Sequence, residues 1–460
     1  MANFSKSSVP RFSVDVYQNE YLPEGGREVN AIVTVTATGG GTIGSAVAAP
    51  HLYAPGQGPS AAVAIMVDCS GSMDYPPAKM RNAREATAAA IDTLRDGVHF
   101  AVIGGTHVAT EVYPGGGRLA VADASTREQA KTALRRLSAG GGTAIGTWLR
   151  LADRLLSSAD VAIRHGILLT DGRNEHEAPE DLRRTLEECA GRFTCDARGV
   201  GTDWEVKEVT SIASALLGTA DIVADPGALA ADFTQMMETA MGKEVADVAL
   251  RVWTPVGTAI KFVKQVAPTV EELTDRRAEA GPRAGDYPTG SWGDESRDYH
   301  LCVEVPAAAV GQEMLAARVS LVVPRSGGTS RSSAAESGGG SAQNLGAQGL
   351  VRAVWTDDMA ASTSINPQVA HYTGQAELAQ AIQQGLDLRK AGDIDGATAK
   401  LGRAVQLAGA SGNADTAKLL AKVVDVVDAA TGTVRLKAKV EEADEMTLET
   451  RSTKTVRVKK

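Results

Sequence analysis

Apolar and polar positions change rhythm twice along this chain. Between residues 60 and 242, short apolar runs alternate with stretches that repeat at helical spacing. Strands are predicted at 61–67, 98–104, 108–113, 163–170, 193–199 and 219–224. The run Ala61-Ala62-Val63-Ala64-Ile65-Met66-Val67 is apolar throughout, as a strand buried on both faces requires. Helices are predicted at 78–95, 125–137, 144–157, 178–190, 204–216 and 226–241. Such alternation argues for a mainly parallel, doubly wound α/β sheet. The segment 108–113 follows its predecessor after a short turn, so it is expected as an antiparallel edge strand.

The flanks follow a period of two. It runs through 12–17 and 29–35 ahead of the α/β stretch, and through 248–253, 260–266, 299–305, 315–323 and 350–355 behind it. Strands of this kind predict a β-sandwich. The expected layout is a discontinuous sandwich (10–58 and 244–357) with the α/β domain (59–243) inserted in it, because domain termini tend to lie close together at a surface. Residues 325–347 are rich in Ser, Gly and Ala and read as a flexible loop within the sandwich. Residues 370–430 return to helical spacing and predict a helical hairpin or three-helix cap, with turns at Gly392-Asp393 and Gly409–Asn413. The turn resembles that of a tetratricopeptide unit, but one unit is too few to stack by itself. The remainder, 431–460, has little apolar content and is expected to be a flexible tail.

The chemistry concentrates at three predicted loop positions. Asp68-Cys69-Ser70-Gly71-Ser72 follows the apolar strand, at the carboxyl end where open α/β sheets place ligands. Ser138-Ala139-Gly140-Gly141-Gly142-Thr143 presents a threonine where a helix opens. Ile167-Leu168-Leu169-Thr170-Asp171-Gly172 ends another strand on a carboxylate. Carboxylates and hydroxyls are hard oxygen donors, suited to Mg²⁺. No G-x-S-x-G elbow surrounds Ser70, so a serine-hydrolase nucleophile is not indicated.

These elements and their order resemble the metal-ion-dependent adhesion site of the von Willebrand factor A family, of the bacterial cytoplasmic type. Asp68, Ser70, Ser72, Thr143 and Asp171 each fall on a motif position. The resemblance implies a Rossmann-like fold for 59–243. It also implies direct ligation by the two serines and the threonine, aspartates acting through water, and a partner's Asp or Glu completing the sphere. Mg²⁺ is the expected ion, with Mn²⁺ or Ca²⁺ as alternatives. The implied function is a non-catalytic, metal-dependent protein-binding adaptor. The alternative left open is a non-ATPase subunit of a chelatase-like AAA+ complex, whose P-loop would lie on another chain. An AAA+ ATPase, a Ser/Thr kinase or a phosphothreonine reader are the companions such a protein suggests. Integrin β chains resemble the layout in their order of elements.

Composition narrows these readings. Hydrophobic residues make up 43% of the 460 but aromatics only 4%, so the cores must be built from Ala, Val and Leu. A net charge of −9 argues against nucleic acid as a general partner. No run approaches a membrane span, and no secretory signal is visible at the start, which argues against a surface adhesin and for a cytoplasmic protein. The Ala/Gly/Arg-heavy usage suggests a bacterial source. Cys69, Cys189, Cys195 and Cys302 match no zinc spacing and are expected as reduced thiols. His300 is expected to be a packed strand histidine and His176 an exposed residue near the metal rim. Asp357-Asp358 suits helix capping or a turn. In the tail, Thr447, Thr450, Ser452, Thr453 and Thr455 stand among charges, and Thr450, Thr453 and Thr455 are candidate phosphorylation sites.

Overall fold

The computed structural model describes residues 10–39, 60–324 and 342–458. The chain divides into two compact units. Among the described residues, the first holds 60–246 and 439–451; the second holds 10–39, 247–438 and 452–458.

The first unit is built on a seven-stranded sheet. Its main path runs Ala220–Val223, Thr194–Val200, Ile163–Thr170, Ala61–Asp68, His99–Gly105 and Ala109–Tyr113. The first five pair in parallel, and Ala109–Tyr113 lies antiparallel at the edge, as its short turn predicts. A two-residue strand, Ala120–Val121, also pairs with His99–Gly105; it is too short for an apolar pattern to show it. Alternation along the central strand divides the core. Ala61, Val63, Ile65 and Val67 pack with residues of the helices Ala78–Thr93, Ala124–Leu134 and Leu229–Met241. Ala62, Ala64 and Met66 pack with residues of Ile145–Leu156, Pro179–Cys189 and Val206–Ala215. Parallel register sets Asp68 beside Gly105 and Val67 beside Leu169. The loops after residues 68, 105 and 170 therefore open at one end of the sheet.

The second unit holds two large sheets and a two-stranded one. One large sheet has the order Arg11–Gln18, Glu28–Thr38, Glu295–Glu304, Ala259–Ala267 and Glu271–Glu272, all antiparallel neighbours. The other has the order Ala278–Glu279, Ala284–Trp292, Val245–Trp253, Glu313–Val323, Gln343–Trp355 and Tyr21–Leu22. Strands from both sides of the α/β stretch thus share these sheets. The sheets approach closely where Gly349 lies: a Cβ there would sit 2.6 Å from a Val16 methyl and 2.8 Å from one of Val14. Ala284–Trp292 escapes the alternation rule, because Gly285, Pro288 and Gly290 interrupt its apolar pattern. Asp358 caps the short helix Met359–Thr363 by accepting from the Ala360 and Ala361 amides. The longer helices are Pro367–Lys390, Ile394–Ser411 and Ala414–Val423. Gly385 lets the first two approach, since a Cβ there would meet Leu401 at 2.7 Å.

Three expectations need correction. The helical segment does not continue to residue 430. Val424–Asp428 is a strand paired with Thr433–Leu436, in keeping with its β-branched valines. The Ser/Gly loop is shorter than its composition suggests. Residues 343–347 belong to Gln343–Trp355, while 325–341 lie outside the described residues, as do 40–58 of the expected sandwich. The tail 431–460 is not a loose segment as far as it is described. Glu442–Arg451 is a helix of the first unit, with Leu448 buried, Met446 in the apolar core and Arg451 2.8 Å from Asp221. Residues 452–458 belong to the second unit. There Val270 donates to the Thr453 carbonyl, Thr455 donates to that of Pro268, and Arg457 makes a two-pronged ion pair with buried Asp298. The sparse apolar content of the tail concealed an attachment made through backbone hydrogen bonds and a buried ion pair.

Candidate metal centre

The Ala61–Asp68 strand ends on a fully buried carboxylate. Its Oδ1 accepts from the Ser70 amide at 2.8 Å, and its Oδ2 from the Thr170 hydroxyl at 2.7 Å. Burial pushes the Asp68 carboxyl above its ordinary range, against the hydrogen bonds from Ser70 and Thr170 that favour the anion. The loop that follows is held by its backbone. Cys69 donates to Gly105, Gly140 donates to Cys69, and Gly71 donates to Gly141. This stitching brings the glycine-rich loop, with Gly141 at a φ of +83° that favours glycine, alongside the D-x-S-x-S turn.

Side chains from three loops then converge. The Ser70 and Ser72 hydroxyl oxygens are 2.9 Å apart, and Ser72 donates to Asp171 Oδ1 at 2.7 Å. The meeting point can be located from Gly172. A Cβ on that glycine would lie 3.1 Å from Ser72 Oγ, 3.6 Å from Thr143 Oγ1 and 3.9 Å from Ser70 Oγ. The structure therefore places Asp68, Ser70, Ser72, Thr143 and Asp171 together, with only Ser72 of these exposed. Asp74 is exposed beside them.

The donor set is oxygen only. Among the described residues no group of three or more His, Cys, Asp or Glu is positioned to hold a metal. Any ion here would rest on hydroxyls backed by two carboxylates, a set that fits a hard divalent cation and offers nothing to a thiolate-seeking one. Neighbouring Cys69 is buried, and its thiol is pushed up to about 12 by desolvation and by the charge of Asp68, so it stays protonated and inert.

Comparison with known proteins agrees with this geometry. The family model described as von Willebrand factor type A domain matches residues 61–222, and the von Willebrand factor type A C-terminal domain matches 406–452. A solved structure described as von Willebrand factor type A from Catenulispora acidiphila is 52% identical, covers 99% of both chains, and superposes with a TM-score of 0.88. The chain belongs to the von Willebrand factor type A family. The ArnB paralog VWA2 from Sulfolobus acidocaldarius shares the fold at 14% identity, covering 96% of this chain and 98% of its own, with a TM-score of 0.57. A comparison with curated proteins gives no match. Domains of this family are generally interaction modules.

Several residues around the von Willebrand factor type A site escaped the sequence reading. Lys79, in the first turn of Ala78–Thr93, places Nζ 2.7 Å from Asp171 Oδ2 and 3.1 Å from Asp203 Oδ2. Asn174 and Glu177 cap the helix that follows Thr143: Ile145 donates to Asn174 Oδ1 and Gly146 to Glu177 Oε2. The polar run Arg173–Glu177 after Thr170-Asp171-Gly172 was the available signal, but contact with a helix 30 residues earlier is not visible in a linear pattern. His176 is exposed, as expected. Its Nδ1 takes the Thr143 amide at 3.3 Å, and His107 faces it with ring centroids 6.4 Å apart.

The tail residues sit elsewhere and are occupied. Thr450 is buried and donates to the Met446 carbonyl, buried Ser452 accepts from Gln383, and Thr455 donates to the Val266 carbonyl at 2.6 Å. Thr447 donates to Ala443, and the Thr453 carbonyl is bonded to Val270. Thr450 and Ser452 are buried, whereas Thr453 and Thr455 are half-buried in the stretch beyond the helix. Arg451 and Arg457 are paired with Asp221 and Asp298 and do not await a phosphate.

Proposed function

We propose that the α/β unit is a Mg²⁺-dependent protein-binding module, without catalytic activity, that captures a carboxylate of a partner protein. The observation that carries this reading is the convergence of the Ser70, Ser72 and Thr143 hydroxyls around Gly172, backed by the buried carboxylates of Asp68 and Asp171. Ser70, Ser72 and Thr143 would be the direct ligands. Asp68 and Asp171 supply the negative charge and orient the hydroxyls. A bound divalent ion supplies an open coordination position for an incoming Asp or Glu. The neutral hydroxyl ligands keep that ion electrophilic, because they donate no formal charge to it. The backbone bonds from Gly71 and Gly140 hold the loops in place, so little ordering is needed on binding.

Among the described residues, no helix is long and apolar enough to cross a membrane. All four cysteines are free and buried, which supports a reducing compartment, and we place the module in a bacterial cytoplasm on that ground. Calorimetry with Mg²⁺ and Mn²⁺ tests the site. The wild-type chain should bind one ion, and Asp68→Ala combined with Ser70→Ala should abolish binding while leaving the circular dichroism spectrum unchanged. Equal affinity in the double variant would refute the assignment. A pull-down with and without EDTA then identifies the partner, and recovery of an AAA+ ATPase would favour the chelatase-like alternative.

A further inference from the structure

The site contains a cation of its own. Lys79 is buried, its side chain 9% exposed, and its three ammonium protons meet Asp171 Oδ2 at 2.7 Å, Asp203 Oδ2 at 3.1 Å and the Ser72 carbonyl at 3.5 Å. Asp171 is fully buried, so its carboxylate has this ammonium as a close neutralising charge. Asp203 is 69% exposed and contributes little through water. The ammonium is held against the buried carboxylate of Asp171 by a direct ion pair.

We infer that Lys79 sets the charge of the loaded site, weakening its hold on the divalent ion in order to leave it attractive to a carboxylate. This rests on the metal-binding reading above. The buried carboxylates of Asp68 and Asp171 together with the Lys79 ammonium leave one net negative charge. A divalent ion converts that to one net positive charge, which an incoming Asp or Glu neutralises. Without the lysine, the same ion would merely cancel the two aspartates, and the partner carboxylate would meet a neutral site. The lysine therefore opposes the metal and favours the ligand, two effects of opposite sign from one group. A purely structural role predicts something else. If Lys79 only held Asp171 in place, its loss would loosen the site and weaken both kinds of binding.

The experiment uses the full chain and measures Mn²⁺ affinity by electron paramagnetic resonance, then acetate affinity of the Mn²⁺-loaded protein. Lys79→Gln keeps a donor toward Asp171 and removes the charge. It should bind Mn²⁺ about tenfold more tightly or better and acetate correspondingly less tightly, since a unit charge paired to a carboxylate of the site is worth at least that much when half-buried. Lys79→Arg keeps the charge and should restore both values toward wild type. Without metal, Lys79→Gln leaves Asp171 uncompensated, so its melting temperature should fall and recover on adding Mn²⁺ by more than the wild type gains. This last readout applies even if the variant is unfolded when metal-free. Lys79→Gln with weakened or unchanged Mn²⁺ affinity, or with no metal rescue, overturns the inference; so does Lys79→Arg behaving like Lys79→Gln. A wild-type chain that binds no Mn²⁺ refutes the metal reading itself, whereas wild-type binding with no gain in Lys79→Gln refutes only the role of the lysine.

Discussion

Two clusters of hydroxyl side chains in this protein look alike in sequence and behave oppositely in the fold. Ser70 and Ser72 follow a strand end, Thr143 precedes a helix, and the three converge on a common point. Thr447 and Thr450 lie in a helix and Thr455 in the segment beyond it, and each hydroxyl donates to a backbone carbonyl. The difference is one of local reach. A helical threonine finds the carbonyl four residues back without leaving its rotamer, so its hydrogen-bonding capacity is spent locally. A hydroxyl in a tight loop beyond a buried strand has no such carbonyl and meets other side chains instead. One cluster gathers around a shared point, and the other is consumed in holding the chain.

The largest test of this contrast is on the tail. If Glu442–Arg451 were loose, truncating Leu448 would be silent. Packed and fully buried as it is, Leu448→Ala should cost about 2–5 kcal/mol in chemical denaturation. Metal affinity should not change, because the site lies at other loops of the same unit.

The next test concerns a polar group spent on structure in the second unit. His300 is buried, bonded through Nε2 to Asn30 and packed on Phe262 with ring centroids 4.9 Å apart. Desolvation, helped by Lys264, pushes its pKa from 6.5 down to about 4. The folded chain keeps it neutral while the unfolded chain protonates it near 6.5. Its stabilising contribution is therefore complete above pH 6.5 and is lost as the pH falls toward 4, by on the order of 3 kcal/mol at the lower limit. Denaturation curves for wild type and His300→Gln across that window should converge as the pH falls. Parallel curves would exclude His300 as the source.

The smallest effects separate the hydroxyl clusters most directly. Thr450→Val removes one satisfied internal hydrogen bond and should cost about 1 kcal/mol of stability with no change in Mn²⁺ binding. Ser72→Ala should do the reverse: little change in stability, since the residue is exposed, and a marked loss of Mn²⁺ affinity. Mass spectrometry of the folded chain treated with a kinase should find no phosphate on Thr450 or Ser452, both of which are buried.

Much of the first unit was legible in one dimension because its strands are buried on both faces and its helices are amphipathic; each pattern is local. The five-residue loop set was equally legible, since each member sits beside a strand end or a helix start that the pattern itself marks. Ala284–Trp292 was not, because glycines and a proline break its alternation while pairing with neighbouring strands supplies the order. Lys79 was not either. Nothing in its neighbourhood distinguishes it from any surface lysine until the sheet brings Asp171 to its ammonium.

Sequence alone determined the elements whose stability comes from local periodicity, and the identity of the oxygen donors at the strand ends. Tertiary structure decided what each polar group is for. Whether a hydroxyl faces a carbonyl or a shared cavity depends on which distant segment lies opposite it. The same holds for a lysine that faces either solvent or a buried carboxylate, and for an arginine such as Arg457 that can await a ligand or close on Asp298. These outcomes are set by desolvation and by pairing across hundreds of residues, and no local pattern encodes either.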